Sequence, residues 1–228
     1  MYEWLEEILS TMFVSPTHYA YLKSRGVDEN TGILFHTFDP NKIKINIPCQ
    51  RFVNNFGARG ERLKDHLIIP VSCPRNKIIG FEARTWDTEG NKRVHKYMLD
   101  RSQWLPTLIN SHKVVESLWN GDDIYVVEGI FDLVALQKAI LPPHTVCSTM
   151  RAGMDENTIK LFERFYTPMS SIYMCYDNDE AGKSKSQEVV RKLSKLGMRI
   201  FECKYRGKDP NDLWTREGLE GLNKYFMF

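Results

Sequence analysis

Nothing in this 228-residue chain stays apolar for the roughly 20 residues that a membrane-spanning helix needs. Its opening, MYEWLEEILSTMF, is acidic where a secretory leader is basic. The expected class is therefore neither membrane-spanning nor secreted, with a cytoplasmic location. The sequence has no C-x-x-C pair: Cys49, Cys73, Cys147, Cys175 and Cys203 stand singly, so no zinc finger or paired-cysteine redox motif can be assembled from neighbours. Cys147 and Cys175, inside the strand-like runs TVCST and SIYMCYD, read as buried thiols. There is no internal repeat and no low-complexity tract, which removes solenoids and disordered linkers. What remains is a chain with 42% hydrophobic residues, enough for one large domain or two smaller ones with full cores.

The formal net charge of +2 conceals an asymmetry. Residues 40–113 hold fourteen Lys and Arg against six Asp and Glu, which leaves the rest of the chain at −6. A basic half beside an acidic half is what a polyanion-binding surface next to a metal site requires.

Residues 2–26 read as two short helices broken at Ser15-Pro16-Thr17, the second ended by Gly26. From Gly32 the runs ILFHTF, KIKINI, HLIIPVS, IIGFEARTW and RVHKYML are short and β-branched or alternating. Turn residues separate them, PRNK and DTEGNK among these, which predicts a curved antiparallel sheet. SHKVVESLW has helical spacing. From Ile124 strands and helices alternate, and the strands are continuously apolar, as in a parallel sheet covered by helices on both faces. The expected class is α/β, with an N-terminal antiparallel half over residues 1–120 and a Rossmann-like parallel half over residues 121–228.

Ligands of such sheets bind at the carboxyl ends of the strands. Glu128 ends the run IYVVE, and Asp177 follows SIYMCY, each at the mouth of a strand-to-helix turn. Asp179 comes two residues later in DNDEAG, so a pair of carboxylates can face one divalent cation with hard oxygen ligands. One D-x-D is weak evidence; strand-Glu-Gly followed by strand-D-x-D-x-A-G is far more specific. A third acidic turn, Gly207-Lys208-Asp209-Pro210-Asn211-Asp212, comes after the last strand.

Together VVEGIFD, YDNDEAGKS and GKDPND resemble the TOPRIM domain of primases, topoisomerases and related nucleases. The upstream segments YLKSRG, DHLIIPV, GFEAR and Lys96-Tyr97 resemble the RNA-polymerase domain of DnaG-type primases, in a form close to shorter bacteriophage primases. His66 and Arg151-Ala152-Gly153 depart from that pattern, and Asn211 stands where a further acid is expected. The resemblance implies synthesis of a short RNA primer from nucleoside triphosphates on a single-stranded DNA template, in the cytoplasm of a host cell if the chain is phage-encoded. It implies Mg²⁺ or Mn²⁺ held by Asp177, Asp179, Asp209 and Glu128, with Glu128 as ligand or proton acceptor. Between Asp209 and Asp212 the sequence leaves the final ligand open. Arg84, Lys96 and Tyr97, with Lys77, Arg101 and Lys113, would contact triphosphate and template backbone. No zinc is expected in this chain; a zinc module and a replicative helicase would be separate partners. A TOPRIM nuclease using the same acids, and an idle single-stranded-DNA-binding subunit, are the competing classes.

Overall fold

The computed structural model describes residues 16–27, 36–37, 66–86, 92–98 and 108–226. The expected first helix, the run KIKINI and Arg101 lie outside them. Contacts divide the chain into two compact units, one of residues 1–21, 32–71 and 77–101, the other of residues 22–31, 72–76 and 102–228. This differs from a boundary at residue 120, because the helix Ser111–Asn120 packs with the parallel sheet that follows it.

α1 spans Pro16–Ser24, with proline in its first turn, where the missing N–H costs nothing. Gly26 closes it with φ +81, in the left-handed region that glycine enters without a Cβ penalty. The first unit carries a four-stranded sheet in the order β1 (His36–Thr37), β2 (Leu67–Ser72), β3 (Ile78–Trp86), β4 (Lys92–Met98). β1 pairs antiparallel with β2, and β3 with β4 from Gly80↔Met98 to Trp86↔Lys92. Leu67, Ile69, Val71, Phe81 and Ala83 are fully buried, so this sheet is anchored by the β-branched and aromatic runs visible in the sequence. The predicted turn between β2 and β3 is present, with Asn76 at φ +56 and its N–H donating to Cys73 O at 2.8 Å.

The second unit is an α/β layer. Its elements are α2 (Ser111–Asn120), β5 (Ile124–Val127), α3 (Ile130–Leu136), β6 (Thr145–Ser148), α4 (Glu156–Phe165), β7 (Ile172–Met174), α5 (Glu180–Lys195), β8 (Ile200–Glu202) and α6 (Pro210–Phe226). The sheet order is β6-β5-β7-β8 and every pairing is parallel. On one face Ile124, Val126, Ile172 and Met174 bury against Val114 and Leu118 of α2, Phe162 of α4 and Leu193 of α5. On the other, Tyr125, Tyr173 and Phe201 stack across three strands, with ring centroids 4.7 and 5.5 Å apart. α3 is buried along its whole length, because it packs against β5, β6 and α6. At the sheet margins, β6 gains an antiparallel bridge between Ser148 and Ile109, while β8, only three residues long, is the other edge among the described residues. Cys147 and Cys175 are fully buried, as expected. No helix among the described residues is long and apolar enough to cross a membrane.

Candidate active site

The strand order sets the position of the site. From β5 the chain moves to β6 on one side, then crosses to β7 on the other, so a crevice opens between the carboxyl ends of β5 and β7. Glu128 leaves β5 and Asp177 follows β7, and the two meet there: the Asp177 N–H donates to Glu128 Oε1 at 3.3 Å. The Glu128 carbonyl accepts Ser148 Oγ at 2.9 Å, fixing the turn from the β6 side. Gly182 allows this approach, because a Cβ there would fall against the Asp177 carbonyl and 2.9 Å from Glu128 Oε1.

Asp179 and Asp209 are both N-caps. Asp179 Oδ1 accepts the Gly182 N–H at 2.7 Å and starts α5; Asp209 Oδ1 accepts the Asp212 N–H at 2.7 Å and starts α6, with Pro210 next. A capping carboxylate still has a second oxygen with acceptor capacity. The two acidic turns are laced together by Asn178, the middle residue of D-x-D. Its N–H donates to Lys208 O at 2.7 Å, and its Nδ2 to Tyr205 O and Gly207 O at 2.9 and 2.8 Å. The Tyr205 hydroxyl adds a bond to Tyr176 O at 2.6 Å.

A fourth aspartate belongs to this group and went unrecognised in the sequence. Asp132, in the first turn of α3, is buried, accepts the Asn211 N–H at 3.1 Å and shares a side-chain hydrogen bond with Asp209. Burial, then the charges of Asp209 and Asp177, push its carboxyl well above the usual carboxylate range. Burial and the neighbouring Asp177 charge likewise raise Glu128 to about 7, against an ordinary 4.5. Asn211 is fully buried, and its Nδ2 donates to Arg25 O at 3.0 Å and Phe131 O at 3.3 Å. It is therefore a structural tie of this unit. Asp212 is turned elsewhere, with Oδ2 accepting from Lys208 N and Arg216.

Every donor in this group is a hard carboxylate oxygen, the class that suits Mg²⁺ or Mn²⁺. Glu128 and Asp132 are raised first by burial and then by the charges of neighbouring aspartates, and a cation would offset that second part. Among the described residues no three carboxylate, imidazole or thiolate groups converge into a ready metal cage. The residues fit a divalent ion in the chemistry of their donors, and two of them, Asp179 and Asp209, serve as caps.

The raised Glu128 makes a measurable prediction. Its penalty on the folded state is absent below about pH 4.5, grows as the pH rises, and is complete above about 7. Without divalent metal, Glu128→Gln should be more stable than the parent above pH 7 by about 1–2 kcal/mol after allowance for solvent screening, and equal to it near pH 4. Urea unfolding of both proteins across this range checks it; a difference that stays constant with pH would refute the assignment.

The expected basic contacts are placed less uniformly. Arg84 is buried on β3 with Nε against the Glu82 carboxylate, a fixed ion pair within the strand. Lys96 and Tyr97 stand on β4 opposite Glu82 and Phe81. Lys77, in the turn before β3, is exposed, as is Lys113 on the first turn of α2. Lys183, with Asp177 and Asn178, lines a cleft of about 180 Å³.

Three comparisons with known proteins bear on this geometry. Residues 125–214 match the Toprim-like family model. The chain is 28% identical over 173 residues to a DNA primase of Pseudomonas putida, covering 73% of this chain and 25% of that one. It is 26% identical over 230 residues to a DNA primase of Rickettsia typhi, covering 92% of this chain and 38% of that one. The chain thus spans a quarter to two fifths of the length of these relatives. In fold it is similar to the Aquifex aeolicus primase (zinc-binding and RNA polymerase domains), with TM-score 0.75 and 19% identity over 97% of this chain and 59% of that one. It is likewise similar to a DNA primase domain from Pseudomonas aeruginosa, with TM-score 0.73 and 20% identity over 98% of this chain and 77% of that one.

Proposed function

We propose that this chain is the polymerising core of a DnaG-type DNA primase, a reading supported by the Toprim-like match over residues 125–214 and by the similarity to DNA primases along most of its length. The reaction is attack of a ribonucleotide 3′-hydroxyl on the α-phosphate of an incoming nucleoside triphosphate, directed by single-stranded DNA, with pyrophosphate leaving. Convergence of the Glu128, Asp177 and Asp209 turns at one sheet edge carries this assignment.

Asp177, Asp179 and Asp209, with Glu128, would hold Mg²⁺ or Mn²⁺, which when bound supplies neutralisation of phosphate charge and orientation of the reacting groups. Asp132 supports this set from behind through Asp209. At about 7, Glu128 is suited to take the proton of the attacking hydroxyl, because an acceptor works best near the ambient pH. Asn178 keeps the two aspartate-bearing turns in register. Exposed Lys77 and Lys113 would meet the polyanion, with Lys96, Tyr97 and Arg101 as further contacts and Arg84 as a cation fixed by Glu82.

The test is a denaturing gel of products from single-stranded DNA, Mg²⁺ or Mn²⁺ and labelled ribonucleotides. Short RNA that requires template and all the reactants is the expected outcome. Shortening of the DNA without ribonucleotides would make the chain a nuclease. DNA binding with neither reaction, across both metals, would make it a binding subunit. A replicative helicase and a separate zinc module are the partners to add for full rate.

A further inference from the structure

Cys175 and Cys203 leave neighbouring parallel strands one position past the register pair Met174↔Glu202. The Cys203 N–H donates to Met174 O at 2.9 Å, so strand pairing continues up to them. Residues opposite one another in a sheet point to the same face. Here the sulfurs stand 3.2 Å apart, with the Cys175 thiol donating. A disulfide bond is about 2.05 Å long and joins Cα atoms roughly 4.4–6.8 Å apart, which brackets the roughly 4.8 Å between adjacent strands. Closure asks the sulfurs to move by only about 1 Å. Their exposure differs: Cys175 is fully buried, whereas Cys203 is half-buried and lines the cleft shared with Asp177, Asn178 and Lys183. Cys147, by contrast, is enclosed in the helix-covered core with Val126.

We propose that Cys175 and Cys203 are a modification site, a dithiol that hydrogen peroxide converts to an intramolecular disulfide. Cys203 Sγ, the sulfur a solute can reach, attacks the peroxide O–O bond and becomes a sulfenic acid as one water leaves. Cys175 Sγ then attacks that sulfur, the S–S bond forms, and the second water leaves. Two thiol hydrogens and two electrons pass to one peroxide. The link ties the ends of β7 and β8 in a segment already joined by the bond from Tyr205 to Tyr176 O, so the fold accommodates it.

The experiment exposes the folded chain to peroxide at low protein concentration, traps the remaining thiols, and maps the digest by mass spectrometry. The expected result is loss of two of the five thiols, a decrease of about 2 Da in intact mass, and one peptide pair joined between Cys175 and Cys203 that dithiothreitol separates. Cys203→Ser should yield no cross-link at Cys175. Cys175→Ser should leave Cys203 to progress to a sulfinate, about 32 Da heavier. A parent protein in which Cys203 reaches the sulfinate while Cys175 stays a thiol overturns the proposal. So does a cross-link of either residue to any other cysteine, or no reaction at either sulfur. The parent map decides the matter even if a variant fails to fold.

Discussion

Asp177→Ala should lower templated RNA synthesis by on the order of 10³-fold or more, while the metal-free protein melts at the same temperature or higher. Catalysis of phosphoryl transfer consists mainly of positioning and charge neutralisation, so a carboxylate at the crevice is worth most in the reaction and little in the fold. The charge of Asp177 acts against two neighbours, raising both Glu128 and Asp132. Removing it relaxes that repulsion, and the Asp177 backbone can still donate to Glu128. Primer synthesis on a gel and a thermal melt, run on the same preparation, test both halves. Activity within tenfold of the parent would remove Asp177 from the reaction. Loss of activity with a melt lower by many degrees would show that the residue serves the fold instead.

Gly182→Ala should act in the opposite way, harming the fold and the site together. The new Cβ would meet the Asp177 carbonyl, which is backbone and cannot swing aside, and would lie 2.9 Å from Glu128 Oε1. Forcing a methyl into a closed site costs about 1–3 kcal/mol, and relief here requires the D-x-D turn to move away from Glu128. Gly197→Ala is the control. It has nothing within 4 Å of its Cβ but holds φ +80, so its cost is limited to about 1–2 kcal/mol of backbone strain, far from the crevice. Urea unfolding with primer synthesis separates them: Gly182→Ala should lose stability and nearly all activity, Gly197→Ala stability alone. A Gly182→Ala protein as stable and active as its parent would mean that the turn is looser than drawn.

The parallel sheet and the two leading acidic motifs were legible because each is local: a β-branched run, a turn and a helix, with an acid at the strand end. Glu128, Asp177 and Asp179 lie where that pattern puts them. Asp132 was not legible, since within IFDLVAL it looks like the polar residue of an ordinary helix. The available signal was that it is the only charge in a seven-residue helix that is otherwise wholly apolar, which on burial demands a partner. The role of Asn178 could not be read at all, because its bonds go to carbonyls 27 and 29 residues away. The same holds for Asn211, whose amide reaches Arg25 O across 186 positions. The sequence left Asp209 and Asp212 open as the final ligand, and their surroundings differ: Asp209 caps α6 beside Asp132, whereas Asp212 accepts from Lys208 N and Arg216. Arg84 carried the pattern of a phosphate contact, but its neighbour two residues back on the same strand face claims it, a local pairing that i,i+2 spacing on a strand does allow.

The three-residue length of β8 also bears on how this protein behaves in concentrated solution. Its outward row of unpaired amides is too short to template a foreign strand, although exposed Phe201 would favour such contact. An edge that stops early thus disfavours addition of a foreign strand at that margin, and a β8 lengthened by several residues would lose this protection.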